Sequence, residues 1–206
     1  MTAGTPGSLQ DLLDSGKNIR ELELNTVEHA AIEDLFLVTE KPVLYVANVD
    51  ESSMHTGNRY SKALQEGVAA EKAEVVLINN SIEAQIAEME DPADKALFMS
   101  EYGMKEPVLN RLIRSTYKLL QLSTYFTAGV QEVRAWTMHK GDTAPQAAGV
   151  IHTDFEKGFI RAEVIAYDDY VKFKGEHGAK EAGKMRLEGK EYVVKDGDVM
   201  HFRFNV

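Results

Sequence analysis

The residues with the clearest capacity for chemistry lie directly after a continuous apolar run, Pro42–Ala47. They are Asn48-Val49-Asp50-Glu51, an amide followed three residues later by a carboxylate. An asparagine amide holds a donor and an acceptor in one plane, so it can bind the edge of a nucleotide base, and a carboxylate accepts further N–H groups. The same residues can instead end a strand and cap a helix. The four residues alone leave both interpretations open.

The elements around this motif predict a parallel α/β domain. Two continuous apolar runs, 42–47 and 74–78, favour strands that are covered on both faces. Helical patterns follow them over 59–70, 82–89, 93–102 and 107–122. Ligands in such sheets bind beyond the carboxyl ends of the strands. The loops at Asn48 and at Asn80-Ser81 should therefore lie at the same edge.

The stretch before this domain predicts two helices. One covers 9–13 and should end at Ser15-Gly16, since glycine suits a helix C-cap. A second should begin at Thr26 as its N-cap, with acidic residues in its first turn. Its apolar stripe is expected to extend as far as Leu35 and Phe36.

The last third of the chain predicts a small mixed sheet around one helix, a β-grasp (ubiquitin-like) arrangement. Strands are expected over 133–138, 159–165 and 200–206, with the helix capped by Thr143. In the second strand, Ile160, Ala162 and Val164 should share one face; in the third, Met200, Phe202, Phe204 and Val206 should do so. Glycines 189 and 197 should supply positive φ in two closing hairpins.

Other catalytic arrangements find little support. The chain has no Cys, and its six His residues show no tight metal-binding spacing, so we expect no metal site. His152 and Asp154 are two residues apart, but no nucleophile motif accompanies them, and His152 is expected to fix its loop by a hydrogen bond. Five aromatic residues could stack on bases, but strand spacing favours the core. They are Trp136, Phe155, Phe159, Phe202 and Phe204.

The amino-acid composition limits the kinds of partner that the chain is expected to bind. The 206 residues carry a net charge of −10. Residues 122–206 hold 12 basic and 13 acidic residues, so almost all of the excess negative charge lies in the first 121 residues. That excess makes broad nucleic-acid binding by the first part unfavourable. The sequence shows neither an apolar run of membrane-spanning length nor a signal peptide, which predicts a cytoplasmic protein without membrane contact. A local basic excess is a candidate RNA or ribosome contact or, equally, a solvated surface; its members are Lys172, Lys174, Lys180, Lys184, Arg186 and Lys190.

Three runs carry a specific resemblance: TYFTAGVQEVRAWT, TAPQAAGVIHTDFEKGFIRAEVI and DGDVMHFRFNV. Together they resemble the TGS domain that ends the YchF-type Obg-like ATPases of the TRAFAC P-loop GTPase superfamily. The run KPVLYVANVDE is similar to that family's base-recognition segment, where NxxE replaces NKxD and preference shifts toward adenine. The resemblance implies base recognition by Asn48, Val49 and Glu51, with a weaker transfer to Ser81. It also implies ATP as ligand and the ribosome (large subunit or 70S), with RNA, as partner.

The phosphate-binding parts of such an enzyme are absent from the sequence. No G-x-x-x-x-G-K-[ST] loop occurs, and no D-x-x-G precedes Pro42. We therefore predict a partial P-loop NTPase-type parallel α/β domain followed by a TGS domain. The expected divisions are 1–40, the end of a helical (coiled-coil) insertion; 41–121, the C-terminal half of the nucleotide-binding domain; and 122–206, the TGS domain. The chain should not hydrolyse ATP without the missing N-terminal half, and Mg²⁺ should matter only in a full-length protein.

Two other functions remain compatible with the sequence. The chain could be a stand-alone TGS interaction module whose α/β half only supports it. It could also be a domain that senses a small nucleotide without chemistry. If the first half of the nucleotide domain is missing, apolar strand surface should be exposed, and residues 122–206 should be the more protease-resistant part.

Overall fold

The computed structural model describes residues 6–205 of the 206-residue chain. The described residues fall into two compact units, with the boundary between Leu119 and Leu120. Within this range, no helix combines the length and the apolar character needed to cross a membrane. Each unit has its own sheet.

The first unit alternates helices with two short strands. In chain order its elements are α1 (Pro6–Asp14), α2 (Thr26–Ile32), β1 (Tyr45–Asn48), α3 (Arg59–Gly67), β2 (Val75–Ile78), α4 (Asn80–Glu88), α5 (Pro92–Glu101) and α6 (Val108–Leu119). Short 3-10 helices cover Ile19–Glu21, Glu33–Leu35, Glu51–Ser53 and Ala69–Glu71.

Strands β1 and β2 form a parallel pair, in register from Tyr45 opposite Val75 to Asn48 opposite Ile78. The parallel pairing confirms the α/β prediction. The expectation that the first strand is covered on both faces was wrong. Burial alternates along β1, and Val46 is 47% exposed. Within residues 6–205, β2 is the only strand paired with β1.

Local hydrogen bonding corrects the predicted start and end of the second helix. The cap is Asn25, one residue before the predicted Thr26: its side chain accepts from the backbone N–H groups of Val27 and Glu28. Glu28 returns the contact by accepting from the N–H of Asn25, which completes a capping box. The helix ends at Ile32, so the predicted apolar stripe stops there and both Leu35 and Phe36 are exposed.

The second unit is a β-grasp. Its elements are β3 (Leu122–Ala128), β4 (Val133–His139), α7 (Ala144–Ile151), α8 (Thr153–Lys157), β5 (Phe159–Ala166), α9 (Tyr167–Lys172), α10 (Glu176–Glu181), β6 (Arg186–Glu188) and β7 (Asp198–Phe204). The strand order is β4-β3-β7-β5-β6, with β3 and β7 parallel and the other neighbours antiparallel.

The core of this unit lies between α7 and one face of the sheet. Thr143 and Gln146 form the predicted capping box, and three alanines of α7, at 144, 147 and 148, are fully buried. Small side chains let the helix approach closely, so that Tyr125 of β3 donates from its hydroxyl to the carbonyl of Ala147 across 2.8 Å. The predicted alternation of Met200, Phe202 and Phe204 is confirmed, while Val206 lies outside the described residues.

Two predictions about the sheet were wrong. A register shift between Phe159 and Arg161 takes Ile160 out of the alternation, so Ile160 is 56% exposed while Ala162 and Val164 are buried. The glycines do not close hairpins onto β7, since β6 pairs with β5. Gly197 has the expected positive φ of 83°, whereas Gly189 does not lie in that region.

The chain after β6 explains the missing hairpin. The segment around Val193 pairs with the loop before α7, where Thr143 and Val193 form a bridge. The N–H of Ala144 donates to the carbonyl of Tyr192, and the N–H of Val194 donates to that of Asp142. The segment between β6 and β7 therefore lies beside the loop before α7 and does not form a hairpin with β7.

Candidate nucleotide-base site

The end of β1 is tied to the start of α4 by Asn48. Its Oδ1 accepts a hydrogen bond from the backbone N–H of Asn80 at 3.1 Å. Asn48 itself is exposed. Because β1 and β2 are parallel, the loops that follow them lie at one edge of the sheet, and this bond joins the two loops directly.

Val49 has a different position from its neighbour. Its side chain is buried, its N–H donates to the carbonyl of Ile78 at 2.8 Å, and its carbonyl accepts from Nδ2 of Asn79 at 2.9 Å. Both backbone groups are therefore engaged within the protein. Val49 therefore fixes the loop through its side chain and through both of its backbone groups.

Asn79 is a structural residue of the site that the sequence analysis did not single out. Its buried side chain donates to Val49 and accepts from the N–H of Ile82 at 3.0 Å, which caps α4. The usable signal was a polar residue between the apolar end of a strand and the start of a helix. Together Asn48 and Asn79 hold the two loops in one geometry.

The acidic part of the motif faces solvent. Asp50 accepts from the Ser52 hydroxyl at 2.7 Å, and hydrogen bonds from Ser52 and Ser53 lower the pKa of Asp50 below its usual value. Asp50 is the N-cap residue of the short helix Glu51–Ser53, and its carboxylate holds the Ser52 hydroxyl rather than a backbone N–H of that helix. Glu51 is the first residue of that helix and is exposed. Its carboxylate is available for a ligand.

Ser81 lies in the first turn of α4 and is exposed. The start of a helix carries partial positive charge and N–H groups directed outward. The edge of the sheet thus offers amide, hydroxyl and carboxylate groups. Such a set can bind the edge of a base by hydrogen bonds.

The candidate basic residues differ in their solvent exposure and in their contacts with other side chains. Five lysines are exposed: Lys172, Lys174, Lys180, Lys184 and Lys190. Arg186 instead contacts the buried carboxylate of Asp198 at 3.4 Å, Glu188 at 3.3 Å and the hydroxyl of Tyr192 at 3.0 Å. Burial and the hydrogen bond to Asp198 raise the pKa of Tyr192 to about 12, so its proton stays in this network. Arg186 therefore has a structural role within the β-grasp.

The remaining candidates have structural roles. His152 accepts from the N–H of Asp154 at 3.2 Å and caps α8, which confirms the predicted loop contact. Phe159 and Phe202 are buried, and Trp136, Phe155 and Phe204 pack against the same core. The interpretation of these aromatic residues as core is confirmed.

Comparisons with known proteins agree with this architecture. Residues 122–205 match a family model named YchF-GTPase_C, described as a protein of unknown function (DUF933). The chain is 57% identical over 195 residues to a protein of Haemophilus ducreyi named ribosome-binding ATPase YchF, covering 95% of the chain and 53% of that protein. A protein of the same name from Bacillus subtilis is 52% identical over 200 residues, covering 96% and 54%.

Solved structures carry the same likeness. The Schizosaccharomyces pombe YchF GTPase superposes with a TM-score of 0.80 at 34% identity, covering 94% of the chain and 52% of that structure. A GTP-binding protein from Pyrococcus horikoshii, at 16% identity and a TM-score of 0.57, shares the fold. The chain spans about half the length of the curated relatives it matches. The sequence matches across nearly the whole chain, together with the matching fold, establish that the chain belongs to the YchF family.

Proposed function

We propose that the chain is the C-terminal portion of a ribosome-associated YchF-type ATPase, and that Asn48, Glu51 and Ser81 recognise the adenine base of ATP. The observation that carries this proposal is the 3.1 Å bond between Asn48 Oδ1 and the N–H of Asn80. It joins two loops at the carboxyl ends of parallel strands, where ligands of α/β sheets bind.

The donor and acceptor pattern favours adenine. An asparagine amide pairs with adenine through the N6 amino group and N7. Asn48 Oδ1 keeps a second lone pair beside the bond to Asn80, and its Nδ2 group is a donor. The exposed Glu51 carboxylate would accept from an amino group but would be repelled by the carbonyl oxygen that guanine carries at the same ring position. Val49 supports this loop from within.

The sequence lacks the loop that binds the phosphates of a nucleotide in P-loop proteins. We therefore propose that hydrolysis requires the N-terminal half of the nucleotide-binding domain, and that Mg²⁺ joins the nucleotide only when that half holds the phosphates. Alone, the chain supplies base recognition.

The test compares adenosine, ATP and GTP as ligands of the isolated chain, followed by ¹⁵N NMR. Adenosine and ATP should shift the amides of residues 48–51 and 80–82 with similar, weak affinities, because the phosphates add little. GTP should shift them less. Absence of saturable shifts at millimolar adenosine would contradict the base site on this chain.

We propose that the β-grasp unit is a TGS domain and that it contacts the ribosome. The curated relatives are named for ribosome binding, and five exposed lysines of this unit could contact RNA phosphates. A cytoplasmic place of action follows from a ribosomal partner. Co-sedimentation with the large subunit and with intact 70S ribosomes measures this contact.

A second function is an adaptor in which the β-grasp unit acts without any nucleotide. It is favoured by the compactness of that unit, which has a five-stranded sheet and a core of its own. In that case residues 120–206 alone should bind ribosomes as tightly as the whole chain, and Asn48→Asp should leave binding unchanged. A nucleotide-dependent change in ribosome affinity would instead favour the first proposal.

A further inference from the structure

Glu163 and His201 lie directly opposite one another on the antiparallel strands β5 and β7. Their chain neighbours Ala162, Val164, Met200 and Phe202 are buried against the core. Because side chains alternate along a strand, Glu163 and His201 share the opposite face of the sheet. Directly opposite side chains have Cβ atoms about 5 Å apart, so the carboxylate and the imidazole can act together.

A third group comes from outside the sheet. Glu176 is the first residue of α10, and one ligand atom of each of Glu163, Glu176 and His201 lies within 4.8 Å of the other two. The residues are 13 to 38 positions apart in the sequence, so their spacing gave no signal. Two strands and a helix bring them together.

We propose that Glu163, Glu176 and His201 form a binding site for a divalent transition-metal ion such as Zn²⁺. Carboxylate oxygen and imidazole nitrogen are ordinary zinc ligands, and two carboxylates balance the charge of the ion. Ligands around tetrahedral zinc lie about 3.4 Å apart, so the three groups, now within 4.8 Å of one another, need to close by at most about 1.4 Å. Water completes the coordination.

The electrostatics of the cluster support a cation. The Glu163 side chain is only 15% exposed, and the second carboxylate, of Glu176, lies close beside it. Two carboxylates at this distance repel each other in a partly buried place. Arg203 pairs with Oε2 of Glu163 at 3.1 Å and offsets part of that repulsion.

Such an ion would fix α10 to the sheet, a role separate from the proposed base site in the other unit. The test is calorimetric titration of the metal-free, tag-free chain with ZnCl₂. One ion should bind per chain, and His201→Asn or Glu176→Gln should weaken binding by at least about tenfold. Zinc should also raise the melting temperature of the wild type but not of Glu176→Gln, because binding only the folded state stabilises it.

The matched control is His177→Asn. His177 and Glu181 form an exposed pair at 3.3 Å on the same helix, so this variant removes ordinary surface binding and should leave the affinity unchanged. Glu176 is exposed, so its replacement by Gln should leave the fold intact. Equal zinc affinity in the wild type and in Glu176→Gln overturns the site, as does a loss of binding in His177→Asn alone.

Discussion

Arg20 donates from Nε to Oε2 of Glu71 across 2.7 Å, with the two side chains only 15% and 9% exposed. The same guanidinium donates from Nη1 to the carbonyls of Val38, Thr39 and Lys41. Glu71 in turn accepts from Asn18 and from the Tyr45 hydroxyl. This one ion pair therefore connects the segment before β1, β1 itself and the chain that enters β2.

Replacing Glu71 by Gln should destabilise the first unit at neutral pH by about 1–2 kcal/mol, since it removes charged hydrogen bonds to Arg20. Burial alone would raise the pKa of Glu71, but the bonds from Arg20, Tyr45 and Asn18 outweigh it and lower the pKa below 4.5. A lowered pKa stabilises the fold above the ordinary value and stops doing so as pH falls through the folded value.

Urea unfolding from pH 7 down to pH 3 measures this effect. The wild type and Glu71→Gln should differ at pH 7 and converge in acid, below the ordinary pKa of 4.5. Glu66→Gln, at an exposed position of α3, is the control and should match the wild type throughout. A constant difference at every pH would rule out the ion pair as its source.

Tyr125→Phe should lower the stability of the β-grasp by about 1 kcal/mol, since it leaves the buried carbonyl of Ala147 without its donor. Burial raises the pKa of Tyr125 above its ordinary value of 10.0, so its stabilising contribution is complete below pH 10 and is lost as pH rises. The variant should consequently resist alkaline unfolding better than its neutral stability suggests. Thermal denaturation at pH 7 and above pH 10 checks both effects, with exposed Tyr167→Phe as the control.

Two replacements of Asn48 separate its structural role from ligand recognition. Asn48→Asp keeps an oxygen acceptor for the N–H of Asn80 but removes the Nδ2 donor. It should retain stability and lose adenosine binding. Asn48→Ala should lose both, with a cost of about 1 kcal/mol in unfolding free energy. If Asn48→Asp bound adenosine normally in the NMR titration, the role of Asn48 would be limited to joining the two loops.

Reversing the charge of Lys180, Lys184 and Lys190 to Glu should weaken ribosome association, and more strongly at low salt, because phosphate contacts are electrostatic. Co-sedimentation over a salt series measures it. Arg186 is left unchanged, since its bond to buried Asp198 supports the fold. The control reverses Lys140 and Lys157, two exposed lysines elsewhere in the unit. If the triple variant sedimented with ribosomes as the wild type does, these lysines would be solvated surface residues without a ribosome contact.

Limited proteolysis should leave a resistant fragment near residues 120–206. Among the described residues, the first unit has two four-residue strands and an exposed Val46 on β1, whereas the second has five strands around one core. Local opening is easier where few apolar contacts are buried. Mass spectrometry of early digests identifies the first cuts. Cuts spread evenly over both units would contradict this prediction.

The parts of the fold that follow from local periodicity were predictable. The alternation of Met200, Phe202 and Phe204, the cap at Thr143 and the parallel strands were all visible as patterns of side chains. Patterns failed where the structure depends on partners distant in sequence. The exposure of Ile160 arises from a register shift against β7, and the sequence of residues 159–165 does not indicate that shift.

The candidate site was predictable only in outline. Asn48 and Glu51 were identified from residue types and from resemblance. The distinct roles of Val49 and Asn79 depend on bonds between two loops that are 30 residues apart. The grouping of Glu163, Glu176 and His201 likewise requires the strand order and the position of α10. Residue spacing contains no information of this kind.

The central place of β7 has a consequence for synthesis. The hairpin of β3 and β4 and the pair of β5 and β6 use neighbouring parts of the chain, so each can form early. The strand that unites them, β7, follows both in sequence and lies between them in the sheet. A ribosome translating this protein must therefore release residue 204 from its exit tunnel before the β-grasp can close. Until then the nascent chain holds two half-sheets with unpaired inner edges, and such edges are prone to pair with other chains.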